Sequence, residues 1–288
     1  MLARTKIVKF LGGLGNQMFQ YAFFLSLEKC YGKVKADLTG FGEYRLHHGF
    51  ELAKVFGVAM EQATPFELRI YTSQQRDWLT RKLRRIYGTK GAEYDEQEEF
   101  AFDTGIYEDA SPRHFWGYWQ HHQYVQLVED KLRKAFVFKE PLDKRNEDCV
   151  QTLAAHETVA VHVRRGDYLN HPSLGGICDL SYYQQGLQIL EEKLDNPLYV
   201  FFSNDMTWCK DNLNVKNAVY VDWNKGEQSY RDMQLMGCCN HYIIANSSFS
   251  WWGAWLNSNP NKLVVSPKKW VNDEADPAAL IHPQWIQL

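Results

Sequence analysis

The sequence predicts an α/β protein of two Rossmann-like domains facing a cleft, and three observations predict it. Apolar runs of five or six residues alternate with amphipathic helical patterns through the second half. The first half opens with the same strand, loop, helix, strand order. Between them lies the charged stretch KEPLDKRNED at 139–148, a natural place to divide the chain, so the domains are drawn at 1–150 and 151–288.

The second half justifies its elements most clearly. TVAVHV (158–163), LYVFFS (198–203), AVYVDW (218–223), HYIIA (241–245) and KLVVS (262–266) read as short buried strands. Helical patterns over Ser181 to Leu194, Met206 to Leu213, Ser229 to Asn240 and Phe249 to Asn257 separate them. Strands alternating with helices in this way form a parallel sheet covered on both faces, with ligands at the carboxyl ends of the strands. In the first half, IVKF leads into GGLGNQ and then an apolar helix, and VKADL follows as a strand. PFELRIYTSQQRDWLTRKLRRIY reads as helical, YDEQEEFAFD as an acidic loop, and HFWGYWQ (114–120) as a further strand.

Composition narrows the function. With 45% hydrophobic and 23% charged residues and a net charge of −3, this is an ordinary globular chain with no electrostatic reason to bind nucleic acid. The six cysteines show no C-x-x-C pair or metal-ligand rhythm, and predict reduced thiols in a cytoplasmic protein. The most apolar helix, from Met18 to Leu27, is too short to span a bilayer.

The glycines of GGLGNQ suggest a dinucleotide loop, with Asp37 at the end of the next strand to read a ribose. That fingerprint needs a third small residue where helix packs on strand, and in this frame, after Gly13 and Gly15, it falls on Met18. Asn16 then either caps the helix or reaches a ligand.

The strand ends of the second half carry the chemistry. Along HVRRGDYL, alternation puts His162 and Arg164 on one face, aimed at the strand-end crevice, where a planar guanidinium suits phosphate. Arg165 shares the other face with Val161 and Val163, which predicts packing and an ion pair with Asp167. After FFSND, Asp205 either caps the next helix or accepts the paired N–H groups of a base such as guanine. In IIANSSFSWWGAWL, Asn246, Ser247 and Ser248 stand where a helix begins, so hydroxyls and the positive helix end converge. No two aspartates are spaced D-x-D and there is no G-x-x-x-x-G-K-[ST] loop, so a bound diphosphate would be neutralised by Arg164 and the Ser247 helix end rather than by a metal.

Together GGLGNQMFQYA, HVRRGDY, FSND…WC and LMGCCNHYIIANSSFSWWGAWL resemble, in order from Phe10 to about Trp270, the α-1,2-fucosyltransferases of glycosyltransferase family 11. The resemblance implies a GT-B-like, inverting, metal-independent enzyme, without cofactor, that moves fucose from GDP-β-L-fucose to O2 of a galactose, often a terminal β-linked one on a surface polysaccharide. It implies an acceptor-side first domain and a second domain that binds GDP-fucose. His162 and Arg164 would lie against the donor, with Arg164 on the diphosphate. Asp205 would read guanine, and Ser247, Ser248 and Phe249 would hold the phosphates. Gly13, Gly15 and Asn16 would form the lip of the sugar site, with Gln17 beside Asn16 for sugar hydroxyls. Asn204 departs from the two aspartates usual at FSND, which leaves its role open. The base is unassigned among His162, His47, His48 and Asn16 acting with a phosphate oxygen. An NAD-dependent oxidoreductase using Gly13, Gly15 and Asp37, or a non-catalytic carbohydrate-binding protein exploiting the 15% aromatic content, are the rival classes.

One stretch stands outside this scheme. Residues 76–90 carry Arg76, Arg81, Lys82, Arg84, Arg85 and Lys90 interleaved with Trp78, Leu79, Leu83, Ile86 and Tyr87. At helical spacing Leu79, Leu83, Ile86 and Tyr87 line up between cations, the pattern either of a solvated face whose stripe packs on the first domain or of a peripheral helix on anionic lipid at the inner face of a membrane.

Overall fold

The computed structural model describes residues 5–42, 48–273 and 280–288. The chain forms two compact units that divide between Lys139 and Glu140. The division falls at the head of the charged stretch rather than at 150, because Asp143 caps a helix whose residues pack in the second unit.

The first unit contains β1 (Lys6–Lys9), α1 (Leu14–Tyr31), β2 (Val34–Asp37), α2 (Glu51–Phe56), α3 (Pro65–Tyr71), α4 (Trp78–Tyr87), β3 (Glu93–Asp95), β4 (Arg113–Trp116), α5 (His122–Gln126) and α6 (Glu129–Ala135). Its four strands are all parallel, in the order β2-β1-β4-β3. α1 is buried on nearly every side, and its Phe23 stacks on Trp119 at 4.0 Å. The pattern read as one helix over 65–87 is two. Thr64 and Glu67 form a reciprocal capping box that starts α3, and Asp77 accepts the Thr80 N–H at 3.0 Å to start α4. Within the acidic stretch, Glu93–Asp95 pairs as an edge strand, and the remainder is loop.

The second unit contains α7 (Lys144–Ala154), β5 (Thr158–Val163), α8 (Leu180–Lys193), β6 (Leu198–Ser203), α9 (Met206–Asn212), β7 (Ala218–Val221), α10 (Tyr230–Met236), β8 (His241–Ile243), α11 (Ser248–Leu256), β9 (Val264–Ser266) and β10 (Ile286–Gln287). The sheet is wholly parallel, ordered β10-β9-β8-β5-β6-β7. One face, with Val159, Val161, Val163, Phe201 and Ile243, packs on Tyr182, Tyr183, Leu187 and Leu190 of α8 and on Cys209 of α9. α10 ends at Met236 rather than Asn240, and the Tyr242 phenol takes the carbonyls of Met236 and Cys239 freed by that stop. The chain proceeds from β5 outward through β6 and β7, then returns to β5's other side as β8. That reversal is a topological switch point, where such sheets open a crevice beyond the strand ends.

All six cysteines are free thiols, and among the described residues no helix is long and apolar enough to cross a membrane.

Candidate active site

The switch point brings together the residues that follow β5, β6 and β8. His162 lies on the sheet face opposite Val161 and Val163, and its ring meets Phe249 at the start of α11, centroids 5.7 Å apart. Burial, reinforced by the Arg164 charge, pushes the imidazole down to about 3, so it is neutral. Its Nδ1 is buried without a hydrogen-bond partner. Arg164 donates from Nη2 to Asp167 at 2.7 Å, while its Nε is also buried and unpartnered. Two orphaned polar atoms at one strand end are the sign of a ligand site, since buried polar groups otherwise find partners.

The expected Arg165–Asp167 pair is not formed. Arg165 does point to the packed side, but there its guanidinium lies 4.1 Å from the Trp208 ring and its Nε faces Asp205 at 3.4 Å. Asp167 belongs to Arg164 because the chain turns at Gly166 and carries the carboxylate back over the crevice side. Asn204 braces that turn by accepting the Arg165 N–H at 3.0 Å and donating to Asp167 at 3.1 Å. A Cβ at residue 166 would stand 2.6 Å from the Asn204 amide nitrogen, so any larger residue there would push the Asn204 side chain off its two hydrogen bonds. Asp205 caps α9 through the Trp208 N–H at 3.2 Å.

Beyond β8, Ser247 is the N-cap of α11 but makes no side-chain cap bond; its hydroxyl bonds to the Tyr168 phenol instead. The nine-residue helix begins at Ser248, and the Phe249 ring of its first turn is the one that meets His162. Asn246 is a strut, tying the carbonyls of Leu174 and Trp270 at 3.2 and 3.0 Å.

In the first unit, the strain in the glycine loop lies one residue earlier than the dinucleotide reading placed it. Gly12 has φ +76°, and a Cβ there would meet Asn16 Nδ2 at 2.7 Å. Gly13 is the N-cap of α1, so Asn16 sits inside the first turn and does not cap; its Oδ1 accepts from Gln120 at 2.9 Å. Gln17, expected beside the sugar, is wholly buried and consumed by backbone. It donates to the carbonyls of Gly12 and Gly49 and accepts the Glu51 N–H. Asp37 is equally engaged: burial alone would raise it, but bonds from His114 at 2.9 Å and from Thr39 hold it down at about 2. With its oxygens taken and Met18 fully buried, the loop does not suit a dinucleotide ribose and pyrophosphate. His47 lies outside the described residues.

Sequence reasoning missed one polar cluster. Past the end of β7, Asn224 donates to Asp232 of α10 at 2.9 Å and to Asn146 at 3.1 Å, and Trp223 donates to the same Asn146 oxygen. Burial pushes the Asp232 carboxyl up to about 7. An aspartate in the first turn of a helix reads as dipole compensation, so only the tertiary burial distinguishes it.

A family model, glycosyl transferase family 11, matches residues 3–288. The chain belongs to glycosyl transferase family 11. It is therefore a glycosyltransferase, and the oxidoreductase and non-catalytic readings fall away. An alpha-1,2-colitosyltransferase of Escherichia coli is 31% identical over 280 residues, 93% of either chain. The galactoside 2-alpha-L-fucosyltransferase SEC1 of Bos taurus is 28% identical, covering 96% of this chain and 71% of its own. Among solved structures, a variant of FUT1 of Arabidopsis thaliana in complex with GDP superposes with a TM-score of 0.51 at 10% identity, over 91% of this chain and 70% of that one. The NodZ alpha-1,6-fucosyltransferase co-crystallised with GDP gives 0.51 at 14%, over 88% and 92%. These likenesses identify the fold as GT-B-like.

Proposed function

We propose that this glycosyltransferase moves L-fucose from GDP-β-L-fucose to O2 of a galactose, terminal and β-linked, with inversion and without a metal. The observation that carries the donor site is the meeting of His162, Arg164 and the α11 N-terminus at the switch point, with two buried nitrogens lacking partners. A diphosphate there would be gripped by Arg164 on one side and by the amides of Ser248 and Phe249 on the other. As GDP leaves, charge grows on the β-phosphate, which both groups are placed to stabilise. His162, neutral and weakly basic, would serve as a hydrogen-bonding wall rather than as the base. Asp205 would read the guanine edge from the strand end, sharing its oxygens with the Trp208 N–H and with Arg165 Nε. On the first unit, Gly13, Gly15 and Asn16 would face the sugars.

GDP-linked colitose is the second reading, favoured by the Escherichia coli relative. Colitose is L-fucose without its 3-hydroxyl, so the two donors ask the same of Arg164 and α11. The test is mass spectrometry of products from each donor with a panel of galactosides. Transfer from GDP-fucose to galactosides, abolished when the acceptor is 2-deoxygalactoside, is the expected result. Transfer to a 2-deoxygalactoside, or no transfer to any galactoside, would overturn the O2 assignment; faster transfer from GDP-colitose would replace the donor.

A further inference from the structure

The basic helix of the first unit presents a surface that sugar transfer does not use. α4 buries Thr80 and lays Leu83 and Tyr87 against Ile7, Ile70, Tyr71 and Ala92. The apolar stripe expected from spacing is therefore split: Leu83 and Tyr87 pack half-buried against the core, while Leu79 and Ile86 stay outside. What remains outside is a different set: Trp78, Leu79 and Ile86, exposed by 69%, 48% and 66%. On a helical wheel these three occupy one arc, and Arg81, Lys82 and Arg85 adjoin it. Lys82 stands over the Trp78 ring at 5.3 Å.

Arg84 is not part of this surface. It turns inward and donates to the carbonyls of Arg69, Thr72 and Gln75, bracing the end of α3. Beside it opens a cavity of about 320 Å³ lined by Arg81, Arg84, Arg85 and Lys90, with Glu93 its one carboxylate. From Trp78 to Ala92 the sequence holds five cations and no acid, in a chain of net charge −3. Segregation of this degree leaves a strongly positive face with three large apolar side chains in its plane.

We propose that the face of α4 with its adjoining cavity docks on an anionic phospholipid surface. Trp78, Leu79 and Ile86 would enter the headgroup–acyl boundary. Arg81, Lys82, Arg85 and Lys90 would neutralise phosphates, with one headgroup seated in the cavity. Charge complementarity and exposed apolar area act together here, and neither alone gives stable surface binding. The inference is independent of which sugar is transferred.

Co-sedimentation of the full chain with vesicles tests it. One set is phosphatidylcholine alone; the other is phosphatidylcholine and phosphatidylglycerol in equal parts, at ~0.1 and ~0.5 M salt. The protein is expected to pellet with the anionic vesicles at low salt, and to leave them at high salt. Arg81→Glu with Arg85→Glu should lower partitioning at least about tenfold, and Trp78→Ser with Ile86→Ser should lower it with every cation in place. All four side chains are exposed, so the melting curves should match the parent. Equal partitioning to neutral vesicles, or none to anionic ones at low salt, overturns the proposal. So does protection of the melt by inorganic phosphate without vesicle binding, which would make the cavity a site for free phosphate.

Discussion

Arg164→Lys retains the charge at the end of β5 and removes the fork, and it should disable transfer while leaving the fold intact. The guanidinium has one nitrogen on Asp167 at 2.7 Å and a second, Nε, buried and waiting. A lysine ammonium is a single point that can serve Asp167 or a phosphate oxygen, but not both in one plane. Losing one preorganised donor to transition-state charge typically costs ~10²–10³ in kcat, equivalent to ~3–4 kcal/mol. The fold should hardly register the change. The Arg164–Asp167 pair is 34% and 56% exposed, and solvent-screened pairs contribute only ~0–1 kcal/mol. Arg165→Lys is the control, because it loses a stack on Trp208 at 4.1 Å and a contact to Asp205. It should destabilise by about 1 kcal/mol and keep kcat within about tenfold. Steady-state rates with saturating GDP-fucose, beside thermal melts, separate the two. An Arg164→Lys enzyme within about threefold of the parent, with Arg165→Lys the more damaged, would refute the assignment.

Three other outcomes are expected. Activity should survive EDTA, since Arg164 and the α11 amides would carry the diphosphate charge; complete loss restored by Mg²⁺ or Mn²⁺ would contradict that. Asp205→Ala should remove the α9 cap, about 1 kcal/mol, and weaken GDP by about one to two decades, as calorimetric titration would read; a lower melt with unchanged GDP affinity would leave only the cap. Asp232, raised to about 7 in the fold, binds a proton more tightly there than in the unfolded chain. Its contribution to stability therefore falls as pH rises from about 4 to 7. Asp232→Asn should match the parent near pH 4 and melt higher at pH 8, and equal melts at pH 8 would count against the buried carboxyl.

The second unit was legible because its signals are local and periodic. Five apolar runs gave five parallel strands, and alternation along HVRRGDYL correctly put His162 and Arg165 on opposite faces. Partners across the loop were not legible, since sequence proximity of Arg165 and Asp167 says nothing about the reversal at Gly166. The first unit misled for a related reason. Gln17 is polar at a helix start and Asp37 at a strand end, as ligand-binding residues are, yet each is spent on backbone or on a buried histidine brought from far along the chain. Such long-range satisfaction leaves no periodic trace.

Asn204, whose role the sequence left open, is explained by the same loop. Its amide accepts from the Arg165 N–H and donates to Asp167, which in turn holds Arg164. Only a group with both an acceptor and a donor can do this, and a carboxylate offers acceptors alone. Asn204→Asp would set two carboxylates about 3.1 Å apart at the point where the Arg164 grip is anchored. Like charges at that distance cannot both ionise freely, so the pair should hold a shared proton above the usual carboxylate range. At neutral pH the variant should lose activity several-fold, with Asp167 displaced and Arg164 unanchored. On lowering the pH, protonation of the pair restores a donor, and relative activity should recover while the parent's does not rise. A pH–rate profile parallel to the parent's across this range would show that Arg164 needs no anchor from Asn204.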